Sequence, residues 1–234
     1  MAGSRQYKAL NSKSDVSGDE KSLYVSLSLV NSFESDVVKH SRALLLLSSD
    51  FGTAWHSRKL VVSQKHKLSA FLDELLLSAL VLSYSPKFEY AWSQRQWVIK
   101  SIAGKCSTLS EIVTKDSELV EKIAERSKMN YRAWNHRCWL VSYMTRQQLL
   151  HELERSRNWA SLHVADHSCF HYRSRLMRKI LEDECYKQEI SASRYSVEIY
   201  LLWKEELDWD EMLIKRYIGR EALWLHRRFL SYFG

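Results

Sequence analysis

Proline occurs once and glycine six times in 234 residues, so little in the chain interrupts a helix. Cysteine is sparse. Cys106, Cys138, Cys169 and Cys185 are the only four, and none forms a C-x-x-C pair, which points to free thiols in a reducing compartment. Long apolar runs are missing too. Ala43–Leu47 is among the longest, far too short to cross a bilayer. Residues 1–21 are polar and serine-rich, without the apolar centre of a signal peptide. There is no Gly-rich phosphate loop, no G-x-S-x-G and no H-E-x-x-H. The absences describe a cytoplasmic chain with no transmembrane segment and no cofactor of its own.

What the sequence holds is helix-forming and aromatic. Hydrophobic residues make up 45%, which excludes wholesale disorder, and nine tryptophans are many for this length. Lys and Arg number 35 against 28 Asp and Glu, a net charge of +7. That favours an acidic surface, a phosphate or a nucleic acid without choosing among them.

Part of the tryptophan excess comes from repetition. A four-residue word of aromatic, two further residues and arginine occurs as Trp55–Arg58, Trp92–Arg95, Trp134–Arg137, Phe170–Arg173 and Trp224–Arg227. The lead aromatics lie 37, 42, 36 and 54 residues apart, a period typical of helical-hairpin arrays. Residues three apart share a helix face, so each aromatic sits beside its arginine. The reading for Trp55, Arg58, Trp92, Arg95, Trp134, Arg137, Phe170, Arg173, Trp224 and Arg227 is structural. The ring fills the gap between stacked hairpins, and the guanidinium stacks on a ring or pairs with a carboxylate of a neighbouring unit.

Between the words the pattern is helical. Leu68, Phe71, Leu72, Leu75, Leu76, Ala79 and Leu82 mark one amphipathic helix over 67–83. Thr108–Glu111 and Thr145–Gln148 have capping-box form, and Asp50 is placed to cap the segment after it. Residues 191–207 and 210–217 read as two helices. Residues 23–30 alternate like a strand, but with no sheet to join. The expected organisation is a flexible leader over 1–33 and a repeat domain over 34–234. Its fold class is all-α: an α–α superhelix, or solenoid, of about five hairpins, crescent-shaped. One hairpin cannot bury both apolar faces, whereas a stack can.

The candidate chemistry lies where the third word's helix begins. Asn130 and Tyr131 stand at a helix start, whose free N–H groups and positive dipole end suit an anion. Tyr131 offers a hydroxyl, and Lys128 and Arg132 add positive charge. His163, His167 and His171 have spacing for a metal on one continuous helix. Asp166 and Ser168 look like cap residues between them, so no metal site is assigned. A helical-repeat nucleic-acid binder is disfavoured, because the period drifts and no fixed base-reading pair recurs.

At these words the chain resembles the protein prenyltransferase alpha-subunit repeat family, whose hallmark is N-Y-x-x-W-x-x-R-[RC]-W. Asn130–Trp139 and Pro86–Trp97 carry the likeness, and it extends over roughly residues 40–234. Asp166–Arg173 resembles the branch called prenyltransferase alpha-subunit repeat-containing protein. The resemblance implies a heterodimer. A separate beta subunit, of the Rab geranylgeranyltransferase type, would carry the catalytic zinc and the prenyl diphosphate. The pair would transfer geranylgeranyl or farnesyl to a cysteine near the C-terminus of a protein substrate. It implies that Tyr131 stands at the mouth of the site, where Lys128 and Arg132, read above as adding positive charge, are the diphosphate-binding candidates. The family's lysine, two residues before the N-Y tyrosine, is replaced by Met129. The family also carries more sequence after the fifth word, so an open C-terminal edge is expected. The alternative function is an α-solenoid adaptor that binds peptides or proteins without prenylation.

Overall fold

A computed structural model describes residues 16–188 and 195–233, and every regular element in those residues is helical. The chain divides into two compact units, residues up to His66 and residues from Lys67 on. The first unit is one hairpin, α1 (Val16–Leu47) packed on α2 (Gly52–Lys65). The second holds four: α3 (Leu68–Tyr84) with α4 (Glu89–Ile102), α5 (Leu109–Arg126) with α6 (Tyr131–Leu140), α7 (Arg146–Leu162) with α8 (His167–Gln188), and α9 (Tyr195–Arg216) with α10 (Glu221–Phe233). In that unit α4, α6, α8 and α10 pack in succession, each word-bearing helix on the next. This is an α–α superhelix.

Local chemistry sets several boundaries. Thr145 accepts from the Gln148 amide at 3.3 Å, and the Gln148 side chain accepts from the Thr145 amide at 2.9 Å, a complete capping box at the start of α7. Asp166 starts α8 by accepting from the amides of Ser168 and Cys169 at 2.9 and 3.3 Å. Gly219 precedes α10 at φ 79°, in the left-handed region that favours glycine.

Four expectations are corrected. Residues 23–30 lie inside α1, not in a strand, and α1 takes up the second half of the assigned leader; residues 1–15 lie outside the described residues. Asp50 does not cap α2: the cap position is Phe51, and Asp50 instead accepts from the Ser48 hydroxyl. Thr108 makes no side-chain cap bond to α5. The two helices expected over 191–207 and 210–217 are one in the described residues, α9, because Trp209 and Asp210 are buried mid-helix positions, not a solvated break; residues 191–194 lie outside the described residues.

The core of the second unit runs along the hairpin interiors through Val98, Ile99, Val113, Leu140, Leu149, Leu176, Leu223 and Leu230, all fully buried. Helix α3 is apolar on two faces. Leu75, Val81 and Leu82 are buried, while Leu68, Leu72, Leu76 and Leu80 stay exposed at four-residue spacing.

Candidate functional site

The arginine of each of the first four words is the centre of a buried polar cluster. In the first unit Arg58 donates to the Val38 carbonyl at 2.6 Å and to the Ser41 hydroxyl at 3.0 Å. In the second unit Arg95 donates to the Leu75 carbonyl at 2.7 Å, to the Ser78 hydroxyl at 3.0 Å, and across to Asp116 of the next hairpin at 2.7 Å. Arg173 repeats this with the Leu153 carbonyl at 2.5 Å, the Ser156 hydroxyl at 2.7 Å, and Glu206 of the next hairpin at 2.8 Å. Arg137 departs from the pattern. Ser117, Glu121 and Glu152 surround it, with contacts of 2.8 to 3.1 Å. Its guanidinium also lies 4.8 Å from the centre of the Tyr172 ring.

Each of the acids Asp116, Glu152 and Glu206, and Glu74 of α3, has a partner within its own hairpin. It is the residue just before the arginine of its own hairpin, always twenty positions downstream. Glu74 takes Gln94 at 2.8 Å, Asp116 takes His136 at 2.7 Å, Glu152 takes Tyr172 at 2.5 Å, and Glu206 takes His226 at 3.0 Å. The result is a run of relays, Arg95–Asp116–His136, Arg137–Glu152–Tyr172 and Arg173–Glu206–His226, each joining one hairpin to the next. Burial pushes the Asp116 carboxyl up, but Arg95 and His136 outweigh it and hold it at about 2. Glu206 is likewise held at about 2, by Arg173 and His226 against burial. Burial lowers the His226 pKa, so that ring is neutral at pH 7.

These carboxylates were missed in the sequence, as were Gln94, His136, Tyr172 and His226. The available signal was the fixed twenty-residue interval between an acid on the first helix and the residue before the arginine on the second. Trp55, Trp92, Trp134 and Phe170 are at most 4% exposed, and Arg58, Arg95, Arg137 and Arg173 are all buried. Trp224 is 56% exposed. Arg227 is half-buried and donates to the Leu207 carbonyl at 3.1 Å.

The start of α6 brings the sequence-predicted residues close in the chain without converging them. Asn130 is buried. It caps the helix by accepting from the Ala133 amide at 3.1 Å, and it donates to the Pro86 carbonyl at 2.9 Å. Tyr131 faces solvent at 68% exposure. Arg132 is paired with Glu89 of α4 at 2.6 Å. Lys128 lines a different place, an open cavity of about 250 Å³ with Met129, Trp159, His163, Asp166 and Arg220. Met129 takes φ 55°, in the left-handed region, as Gly219 does at the matching place before α10, and its side chain is exposed. The indoles of Trp55 and Trp92 donate to the carbonyl six residues earlier, at 3.0 Å in both cases. For Trp134 that carbonyl belongs to Lys128, beside the irregular residue, and the buried indole N–H goes without a bond. Trp159 Nε1, in the wall of the cavity, also has none.

His163 does not join His167 and His171 in a ligand set. It ends α7 with its ring on the Trp159 carbonyl at 2.9 Å, and His167 opens α8. Among the described residues no group of three His, Cys, Asp or Glu side chains could hold a metal ion. No described helix is long and apolar enough to cross a membrane.

The family model for the protein prenyltransferase alpha subunit repeat matches residues 71–102 and 115–144, the segments that carry the second and third words. The chain carries protein prenyltransferase alpha-subunit repeats. It is 30% identical over 233 residues to the protein prenyltransferase alpha subunit repeat-containing protein 1 of Homo sapiens, an alignment covering 81% of this chain and 57% of that protein. The geranylgeranyl transferase type-2 subunit alpha of Saccharomyces cerevisiae is 23% identical over 217 residues, covering 79% of this chain and 65% of that one. The chain spans about half the length of the repeat-containing relatives it matches. In fold it is similar to a chain from the structure of Candida albicans protein geranylgeranyltransferase-I complexed with GGPP, with a TM-score of 0.53 at 17% identity, covering 90% of this chain and 74% of that one. The two matched segments hold Glu74, Gln94 and Arg95, and Asp116, His136 and Arg137, of the clusters described above.

Proposed function

We propose that the chain acts as the alpha-type subunit of a heterodimeric protein prenyltransferase. It would assist transfer of geranylgeranyl, or farnesyl, from a prenyl diphosphate to a C-terminal cysteine of a protein in the cytoplasm. The observation that carries the proposal is the repeat match over 71–102 and 115–144. Two features of the surface support it. Tyr131 stands exposed at the amino end of α6, where an incoming diphosphate meets a hydroxyl donor and the positive end of a helix dipole. The exposed leucines of α3 border an apolar groove of about 430 Å³ against α5, lined by Leu72, Leu76, Ala79, Ile112 and Leu119, a surface suited to a second polypeptide.

In this reading the zinc sits on the beta subunit, of the Rab geranylgeranyltransferase type. Bound there, it supplies a substrate thiolate at neutral pH. The present chain would scaffold that subunit, with Tyr131 donating a hydrogen bond to the departing diphosphate and Lys128 adding charge nearby. Arg132 contributes less, because Glu89 already neutralises it.

Co-expression with a Rab-type geranylgeranyltransferase beta subunit tests the proposal. The expected result is a complex that co-elutes on gel filtration and transfers labelled geranylgeranyl to a protein with a C-terminal cysteine. Tyr131→Phe should lower kcat and leave the complex intact. Failure to associate with any prenyltransferase beta subunit would overturn the proposal.

One observation favours the adaptor reading. The family's lysine position is Met129, held in a left-handed turn, and the cation beside it lines a separate cavity. A complex that forms but transfers no lipid would support that alternative.

A further inference from the structure

The cavity beside Lys128 is built from the turns of three successive hairpins. Lys128 comes from the turn before α6, His163 and Asp166 from the turn before α8, and Arg220 from the turn before α10. Ala124, Leu162 and Val164 give it an apolar wall. Trp159 also lines it and is only 7% exposed. Packing alone does not call for an indole there. Seven residues after the acid of the first helix, the other hairpins of this unit place Val81, Ile123 and Leu213, all buried. Trp159 adds an N–H to a position that an aliphatic side chain fills elsewhere, and no group of the protein accepts from it. Its ring is held in place, because His163 stacks on it at 3.8 Å and bonds the Trp159 carbonyl at 2.9 Å.

Arg220 departs from the repeat as well. The residue directly before a word-bearing helix is Asn130 at α6 and Asp166 at α8, and both accept from amides of the first turn. Arg220 holds that place before α10 and has no acceptor to offer. It also sets a cation at the positive end of a helix dipole, where an anion is favoured. Lys128 is a second exposed cation in the same wall, and among the described residues neither makes an ion pair.

We propose that this cavity binds a small monocarboxylate with an apolar body. The carboxylate accepts from the Trp159 indole and pairs with Arg220 and Lys128, while the body lies against Ala124, Leu162 and Val164. Charge sets the class of ligand. Two cations and the acid Asp166 leave a single positive charge, which one carboxylate balances, whereas a diphosphate would bring excess negative charge beside Asp166. Size sets the limit. A volume of about 250 Å³ lies below the ~300–1,000 Å³ that houses drug-sized ligands, so an acid the size of naphthoate fits and a long prenyl chain does not. The inference does not rest on the prenyltransferase reading and would stand if no lipid were transferred.

The probe is naphthoate, titrated into the full chain and followed by the indole N–H signals in proton–nitrogen correlation spectra, with the Trp159 signal assigned through its own backbone. That signal should move downfield and saturate as its proton gains an acceptor. Naphthalenemethanol, with the same body and no charge, should leave it in place. By calorimetry, Arg220→Gln should weaken naphthoate binding at least fivefold, and so should Trp159→Phe, which keeps an aromatic ring and removes the N–H. Arg220 is exposed, so the measurement survives if Trp159→Phe disturbs folding. No saturable movement up to the solubility limit of the acid, equal binding of the alcohol, or unchanged affinity in Arg220→Gln would overturn the proposal. So would tighter binding of inorganic diphosphate at the same signal, since the cavity would then be a phosphate site.

Discussion

Asp210 should destabilise the fold at neutral pH, and replacing it with serine should relieve the cost. It stands four residues after Glu206, the place that Ser78 holds after Glu74 and Ser156 after Glu152. In those hairpins the serine hydroxyl donates to a backbone carbonyl and accepts from the arginine. Asp210 is fully buried, and neither of its oxygens has a hydrogen-bond partner. Burial, with the charge of Glu206 adding to it, pushes the carboxyl up from 3.8 to about 7, while Arg227 and Arg173 pull against that rise. The folded state therefore keeps a proton that the unfolded state has released. Stability falls as pH rises from about 4 to about 7 and is level above that. At about 1.4 kcal/mol per unit, the ceiling is about 4 kcal/mol. Relaxation and water entry at the edge of the stack reduce it, so Asp210→Ser should gain about 2 kcal/mol at pH 8. Urea unfolding at half-unit steps from pH 5 to 8.5 measures the difference. The advantage of the variant should grow to about pH 7 and then hold. A difference independent of pH, or a variant less stable than the parent at pH 8, would refute the reasoning.

Other perturbations probe the relays directly. Arg173→Leu leaves Glu206 buried without its main counter-charge and should cost about 3–5 kcal/mol in urea unfolding. Tyr172→Phe removes a single hydroxyl donor from Glu152, keeps the ring under Arg137, and should cost about 1.5–3 kcal/mol by the same assay. The thiols separate by reactivity. Burial pushes Cys138 up to about 12 and raises Cys169 as well, against the pull of nearby arginines. At pH 8, iodoacetamide followed by mass spectrometry should label the partly exposed Cys106 and leave both of these unmodified.

The helices were legible because their signals are local. Gln148 three residues after Thr145 is enough to predict the cap on α7, and Gly219 is enough to end α9 before the fifth word. The relays were not legible, because an acid such as Glu206 finds Arg173 from 33 residues away, and nothing near it in sequence marks it as buried. The two-helix reading of 191–207 and 210–217 went wrong for the same reason: a buried acid such as Asp210 and a solvated turn look alike until the fold is known. The fifth word has the same aromatic and arginine as the others, yet Trp224 is exposed, since burial of a lead aromatic depends on the hairpin stacked against its own. Around Tyr131 the sequence located the helix start correctly. The left-handed turn at Met129, which sends Lys128 to a separate cavity, had no local marker.

The spacing of the relays assigns different freedoms to different parts of the chain. Within each of these hairpins, the acid and the side chain that donates to it are twenty residues apart, whereas the step from an arginine to the next acid is 21, 15 or 33. Insertions between hairpins can be absorbed by a longer connection, but one extra residue inside the twenty-residue arm would rotate the acid by about 100° away from its partners. Each hairpin is thus a cassette with a rigid interior and elastic joints, and tolerance to length change along the chain should alternate with that beat.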